Sequence, residues 1–295
     1  MRYALHPPNF ADPEELVEMG VAAEAAGWDG FFLWDHLFAG PSFPVPMADP
    51  WVVLGAVAVR TERMRLGTAV TPLARRRPQK VARETVTVDQ LSGGRMILGV
   101  GLGNPPSDEF GAFGEAADLR TISARLDEAI EVVAGLWSGQ PFDHQGRFFT
   151  VRGAQFLPEP VQRPRIPIWV AAQVGYRAPL VRAARWDGVV LAGMNQEGGV
   201  DPLTEDQLKT ALRELDHLRS RLERFDIAVV TDGLPSDAVS EMYADLGVTW
   251  VLATGWVSQL DELIQARSPH MTSMPARPMS QPRVPDLAER SPAPE

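Results

Sequence analysis

The sequence predicts one large α/β domain folded as a closed (β/α)8 TIM barrel, and three observations carry that expectation. Eight short apolar runs are each followed by a segment with helical periodicity. Strict strand-then-helix alternation implies a parallel sheet. Eight such repeats in roughly 270 residues match the size of a closed barrel, with a doubly wound open sheet as the competing arrangement.

The units follow in order. Arg2 to Pro7 is the first apolar run, and Asp12-Pro13-Glu14-Glu15 then supplies an N-cap, a proline at the first helical position and early acids. Leu16, Val17, Met19, Gly20, Ala23 and Ala26 give that helix its apolar face, and Gly27 ends it. Gly30 to His36 is the second strand. A long connection leads to Asp49-Pro50, which starts a helix through Trp51, Leu54, Val57 and Ala58. Met64 to Val70 is the third strand, and Arg77-Pro78 opens a helix that stops at Gly93-Gly94. Arg95 to Val100 is the fourth strand. An irregular stretch follows, and no helical pattern resumes until the segment Leu119 to Trp137.

Gly139 to Arg165, with Pro158 and Pro160, reads as an insertion after strand four holding a small hairpin. Ile166 to Ala172 and Gly188 to Ala192 are strands five and six, with helices Ala178 to Trp186 and Thr204 to Leu222 after them. Phe225 to Thr231 and Trp250 to Thr254 complete the set, followed by helices Ser236 to Leu246 and Val257 to Arg267. The domain is therefore placed at residues 1–270. Residues 271–295, rich in proline and poor in large apolar side chains, read as a disordered tail.

Composition narrows the chemistry. The chain has no cysteine, which removes disulfides, thiolate metal sites and thiol nucleophiles and fits a cytoplasmic setting. A net charge of −10 argues against nucleic-acid binding, and Arg75-Arg76-Arg77 reads as a solvated loop and helix start. No apolar stretch approaches the roughly 20 residues that span a bilayer.

The strand-end residues are the functional candidates, because ligands bind at the carboxyl ends of parallel strands. The second strand ends on Asp35-His36, an acid and an imidazole after an apolar run, with a cap and a satisfied rim residue as the bland reading. His6 at the end of the first strand faces the same mouth. Most of the eight tryptophans, Trp256 among them, read as packing, while Trp34 and Trp51 sit where a ligand would be touched. The five histidines, including His217 and His270, lack zinc spacing, so no metal is assigned. Gly99-Val-Gly101-Leu-Gly103 does not open directly into a helix and so fails as a dinucleotide loop. Its glycines instead allow a planar ligand or another backbone to approach closely.

Three blocks together resemble the luciferase-like flavin and deazaflavin oxidoreductases. They are Gly27-Trp-Asp-Gly-Phe-Phe-Leu-Trp-Asp-His-Leu37; Arg65-Leu-Gly-Thr-Ala-Val-Thr-Pro-Leu73 with Thr87-Val-Asp-Gln-Leu-Ser-Gly-Gly-Arg-Met-Ile-Leu-Gly-Val-Gly-Leu-Gly103; and Leu136-Trp-Ser-Gly139 with Pro167-Ile-Trp-Val-Ala171. The Asp-His pair is most similar to the branch using coenzyme F420, an 8-hydroxy-5-deazaflavin.

The resemblance implies hydride transfer between F420 and a small organic substrate. His36 would be proton donor or polariser, and Asp35 would orient it or contact the ring edge. It also implies a non-prolyl cis peptide at Ala69–Val70, in a bulge backing the ring system, with Gly101, Leu102, Gly103 and Asn104 lining the cofactor. The loop Gln173, Val174, Gly175, Tyr176 and Arg177 would take the cofactor phosphate through backbone N–H groups. His6, Trp34 and Trp51 are the expected substrate wall. Relatives that oxidise a sugar phosphate carry Glu where this chain has Asn104, which favours a reductase or another F420-dependent oxidoreductase.

FMN is the alternative cofactor, with two-component monooxygenation as its chemistry. A ligand-binding barrel with little turnover and a metal-dependent hydrolase are the readings from other classes. A homodimer is the expected assembly by analogy, with helices two and three as the suggested contact.

Overall fold

The computed structural model describes residues 1–41, 44–194, 199–219, 224–255 and 259–266. All eight anticipated runs form strands. In chain order the strands are β1 (Arg2–Leu5), β2 (Gly30–Leu33), β3 (Arg65–Pro72), β4 (Met96–Gly101), β5 (Phe142–Gln145), β6 (Thr150–Ala154), β7 (Ile168–Gln173), β8 (Gly188–Met194), β9 (Val200–Asp201), β10 (Asp226–Asp232) and β11 (Trp250–Thr254). Parallel pairing runs β1-β2-β3-β4-β7-β8-β10-β11 and returns from β11 to β1, so the barrel is closed. The open-sheet alternative is thereby removed.

The helices are α1 (Pro13–Ala25), α2 (Pro50–Arg60), α3 (Pro78–Leu91), α4 (Pro106–Glu109), α5 (Leu119–Leu136), α6 (Arg177–Ala183), α7 (Glu205–Leu218), α8 (Asp237–Asp245) and α9 (Leu260–Gln265). Their starts follow local chemistry. Asp12, Asp49 and Asp118 accept from first-turn backbone N–H groups, and Thr204 with Gln207 forms a capping box. Proline at the first helical position of α1, α2 and α3 forfeits an N–H that would have no helical partner.

The insertion holds the expected hairpin, β5 antiparallel to β6. Three details differ from expectation. First, β2 ends at Leu33 and not at His36, because its pairing with β3 stops at Leu33↔Thr68, where β3 bulges between Thr68 and Thr71. Residues 34–36 are thus released from the ladder. Second, the irregular stretch after β4 contains the single turn α4 and a 3-10 turn at Gly111–Phe113, elements too short for apolar periodicity to reveal. Third, a two-residue strand, β9, pairs antiparallel with the end of β8. Trp256, His270, the proposed helix start at Val257 and the tail 271–295 lie outside the described residues.

Two apolar layers hold the fold. The outer one lies between helices and barrel and includes Leu16, Leu54, Val81, Leu126, Ile130 and Trp137. The inner one fills the barrel, where Phe32 stacks on Trp169 at 5.3 Å between centroids and both meet Trp250 edge-on, at 5.9 and 5.6 Å. Arg2 caps this plug, its guanidinium 4.5 Å from the Trp250 ring. These rings form a floor beneath the carboxyl-end mouth. Among the described residues no helix is long and apolar enough to cross a membrane.

Candidate active site

Past Leu33 the chain leaves the barrel with Trp34, Asp35 and His36, and its backbone needs new partners. The neighbouring strand has turned into Pro7-Pro8, which offer no N–H. The Trp34 N–H therefore donates to the Pro7 carbonyl at 3.1 Å, and the amide of the fully buried Asn9 takes over from there. Its Oδ1 accepts from the His36 N–H at 3.2 Å, and its Nδ2 donates to the His36 and Ala48 carbonyls, both at 2.9 Å. A side-chain amide thus acts as the missing strand partner and ties both ends of the long β2–α2 connection. Sequence reasoning missed Asn9; the signal was an amide residue directly after a proline pair.

Side chains alternate as the chain leaves the barrel. Trp34 and His36 join a ring cluster with His6 and Phe10, at centroid distances of 5.4 to 6.0 Å. Asp35 turns the other way and is buried. Its carboxylate accepts from Thr71 Oγ1 at 2.8 Å, Arg75 Nη2 at 2.9 Å, Arg76 Nε at 2.9 Å and Arg76 Nη2 at 2.6 Å. Burial pushes this carboxyl up, but the Arg76 and Arg75 charges and the hydrogen bonds from Arg76 and Thr71 hold it below the usual carboxylate range.

The arginine triplet is therefore not a solvated loop: the Arg75 and Arg76 side chains are only 4% and 16% exposed. The acids that hold them come from distant segments, which local charge counting cannot reveal. Arg77 alone matches the solvated reading, exposed at the start of α3.

The carboxylate that meets His36 is that of Glu109 on α4, and not Asp35. Glu109 Oε1 lies 2.8 Å from His36 Nδ1, and Oε2 accepts from Arg75 Nε at 2.6 Å. Asp35, Arg75, Glu109 and His36 thus form one chain of contacts, with Arg76 completing a set of two acids and two guanidinium groups. Removing one partner from such a buried set typically destabilises a fold by about 3–5 kcal/mol. Glu109 was not singled out in the sequence, where it is one of three polar residues in Ser107-Asp108-Glu109.

The bulge in β3 carries the anticipated cis peptide at Ala69–Val70. The His6 Nε2–H donates to the Ala69 carbonyl at 2.5 Å, joining the end of β1 to the bulge. Burial lowers the His6 pKa to about 4 against the opposing effect of that bond, so the ring is neutral near pH 7. On the other side, β4 comes close because its residues are glycine. A Cβ at Gly99 would lie 2.1 Å from the Thr68 carbonyl oxygen, and one at Gly101 would lie 2.4 Å from a Val70 methyl. Here it is the neighbouring strand that these glycines admit.

The remaining expected residues are distributed as follows. Leu102 and Gly103 are half-buried after β4, and Asn104 is exposed. Gln173 ends β7, Gly175 has a φ of +90°, Tyr176 is exposed, and Arg177 pairs with Glu214 at 2.7 Å. Two N–H groups of that loop have backbone partners: Val174 with the Ala192 carbonyl at 3.1 Å and Tyr176 with the Gln173 carbonyl at 3.4 Å. Trp51 packs in the outer core in the first turn of α2 and is not among the rings around His36.

Three buried polar atoms on neighbouring strand ends lack a hydrogen-bond partner among the described residues. They are Thr254 Oγ1 on β11, His6 Nδ1 after β1 and Trp34 Nε1 after β2. Desolvated polar groups of this kind carry a penalty of about 1–3 kcal/mol unless a ligand or water meets them. These three lie on adjacent strands at the carboxyl-end mouth, while Trp169 Nε1 and Trp250 Nε1 lack a partner in the barrel floor and Trp51 Nε1 in the outer layer.

Comparison with known proteins places the family and the fold. The family model described as luciferase-like monooxygenase matches residues 2–222. An F420-dependent glucose-6-phosphate dehydrogenase of Microbacterium testaceum (strain StLB037) is 35% identical over 205 residues, 68% of this chain and 57% of that protein. The protein of the same description from Mycolicibacterium fortuitum is 34% identical over 218 residues, 72% of this chain and 61% of its own. The chain thus spans about three-fifths of the length of these curated relatives.

Among solved structures, an F420-dependent secondary alcohol dehydrogenase in complex with an F420-acetone adduct superposes with a TM-score of 0.73 at 16% identity, covering 90% of this chain and 96% of that one. The coenzyme F420-dependent tetrahydromethanopterin reductase from Methanopyrus kandleri gives 0.71 at 17% identity, covering 91% and 97%. At these identities the structures speak for the fold.

Proposed function

The chain belongs to the luciferase-like monooxygenase family, and from that premise we propose that it is an oxidoreductase using coenzyme F420 on a small organic substrate. The observation that carries the reading is one rim that brings together the Ala69–Val70 bulge, the three unpartnered polar atoms on adjacent strand ends and an imidazole whose Nδ1 is already engaged. The relatives named for F420 support it. When bound, F420 supplies or takes a hydride at its ring system.

The chain's own residues do the rest. Ala69, Val70, Gly101, Leu102, Gly103 and Asn104 would hold the ring, and the segment from Gln173 to Arg177 would receive the phosphate. Gly175 and the start of α6 are the part of that segment best placed for it, since Val174 and Tyr176 already have backbone partners. His6 and Trp34 offer polar atoms to the pocket, while His36 moves the proton that accompanies the hydride. Asp35 holds Arg75, which in turn holds Glu109, so it supports the site from behind. With Asn104 in place of a glutamate after the glycine run, glucose 6-phosphate is expected to be a poor substrate.

The test is a fluorescence titration of the purified chain with F420 and with FMN, followed by turnover against a panel of carbonyl, enone and sugar-phosphate compounds. Micromolar F420 binding with turnover of a panel member supports the reading. Binding of FMN alone, with oxygen consumption on reduced FMN, replaces it with the monooxygenase. His36→Ala is expected to leave F420 binding within about twofold and to lower kcat by about 10²–10⁴, the usual contribution of a positioned acid or base.

The cysteine-free composition suits the cytoplasm. A homodimer through α2 is the favoured assembly, since Val52 and Val59 stand 73% and 62% exposed on that helix. Light scattering on the purified chain decides it, and a monomer at micromolar concentration would refute it.

A further inference from the structure

We infer that Glu109, anchored by Arg75, fixes His36 as the Nδ1–H tautomer and so makes Nε2 the ring atom that exchanges a proton with the substrate. The inference deepens the oxidoreductase reading and rests on it for the identity of the reaction. Glu109 is a positioning residue: it acts through His36.

The geometry supplies the argument. The Glu109 side chain is fully buried, and both of its oxygens accept. Oε2 takes the Arg75 Nε–H at 2.6 Å, while Oε1 takes the Leu37 N–H at 3.4 Å and faces His36 Nδ1 at 2.8 Å. A carboxylate has acceptors only, so the nitrogen facing it must donate. Neither end of this contact is free to move. Arg75 is held at its far end by Asp35 Oδ1 at 2.9 Å and by the Asp35 carbonyl. The His36 backbone is held by Asn9, and its ring sits between Phe10 and Trp34.

With Nδ1–H committed, Nε2 is left to the pocket. When it gives its proton, the Nε2–H bond breaks, an O–H or N–H bond forms on the substrate, and the electron pair stays on Nε2. The ring is then neutral with Nδ1–H still on Glu109. In the oxidising direction the same atom takes the proton. The hydride that balances the change is carried by the cofactor.

A carboxylate in this position also ties α4 to the segment that follows β2, and a purely architectural role must be told apart from a tautomer-fixing one. The primary experiment needs neither variant nor cofactor: the full chain, labelled with 15N-histidine, is examined by long-range 1H–15N correlation at a pH where the His36 ring is neutral. His36 is identified by the signals lost in His36→Gln. A protonated Nδ1 with a bare Nε2 is expected, and the opposite tautomer overturns the inference.

The second arm is Glu109→Gln. Arg75 Nε–H and His36 Nδ1–H meet different oxygens of Glu109, so in the amide one of them must face NH2; the guanidinium cannot accept and keeps the oxygen, and the NH2 is expected to face His36 and switch its neutral ring to the Nε2–H form. Turnover should then fall by about 10² or more with F420 affinity within about twofold, as wrong-tautomer variants of other imidazole catalysts do. A lower melting temperature with unchanged tautomer and unchanged kcat would make Glu109 architectural and overturn the inference. Should the variant fail to fold, the wild-type spectrum still decides. Failure of wild-type protein to bind F420 sinks the oxidoreductase reading separately, because the tautomer is read without cofactor.

Discussion

His6 gives the residue scale a number that solution work can check. Its ring is neutral in the folded chain, with a pKa lowered from 6.5 to about 4 by burial. The unfolded chain therefore binds this proton first as pH falls, and folding stability drops between pH 6.5 and about 4, then levels off. The full difference is on the order of 3 kcal/mol at one such group. Urea denaturation across pH 4–7 should show this slope, and His6→Gln, which keeps a donor for the Ala69 carbonyl, should remove most of it. An identical slope in the variant would assign the effect elsewhere. Asp35 acts in a lower window. Its folded pKa is depressed, so its contribution is intact above the ordinary carboxylate value of 3.8 and is lost only as pH falls below that toward the folded value. The two residues also mark what sequence can disclose. Asp35 and His36 were conspicuous because an apolar run ended on them. Their partners were not: Glu109 lies 73 residues from His36, Arg75 lies 40 from Asp35, and Asn9 lies 27 from His36. No local rule relates positions so far apart.

At the scale of elements, legibility followed locality. Caps at Asp12, Asp49 and Thr204, the N1 prolines and the apolar strand runs are decided within a few residues, and the structure places elements where those signals stand. One-turn α4 and two-residue β9 carry no period to detect and exist because tertiary contacts favour them. The β3–β4 pair is the element whose geometry most constrains the site. Gly99→Ala would put a methyl 2.1 Å from the Thr68 oxygen, a backbone atom that cannot step aside without reshaping the bulge. Destabilisation of about 1–3 kcal/mol is expected, with F420 binding weakened beyond what stability explains. Gly55→Ala, in the interior of α2 with open space around the new methyl in the single chain, should stabilise by about 0.5–1 kcal/mol when measured at concentrations where the chain is monomeric, and leave cofactor binding unchanged. Chemical denaturation and cofactor titration on the pair separate a bulge-specific effect from a general glycine effect.

For the whole molecule, counting units was enough to predict closure, because eight β/α repeats of this length leave few other ways to bury both faces of every strand. What counting could not predict was how the interior is occupied. Phe32, Trp169 and Trp250 belong to three separate units, and their meeting on the axis is a property of the closed ring of strands. Their presence packs the barrel's interior, so a guest at the strand ends would come and go by the carboxyl-end mouth. Two guests that share one mouth, one above the other, must take turns in a fixed sequence: the deeper one is first in and last out. If F420 takes the deeper place, steady-state turnover should show compulsory order, with the oxidised and reduced cofactor competing directly and the organic product inhibiting noncompetitively against cofactor. Random-order patterns would mean that the two guests lie side by side at the mouth, each free to come and go without the other.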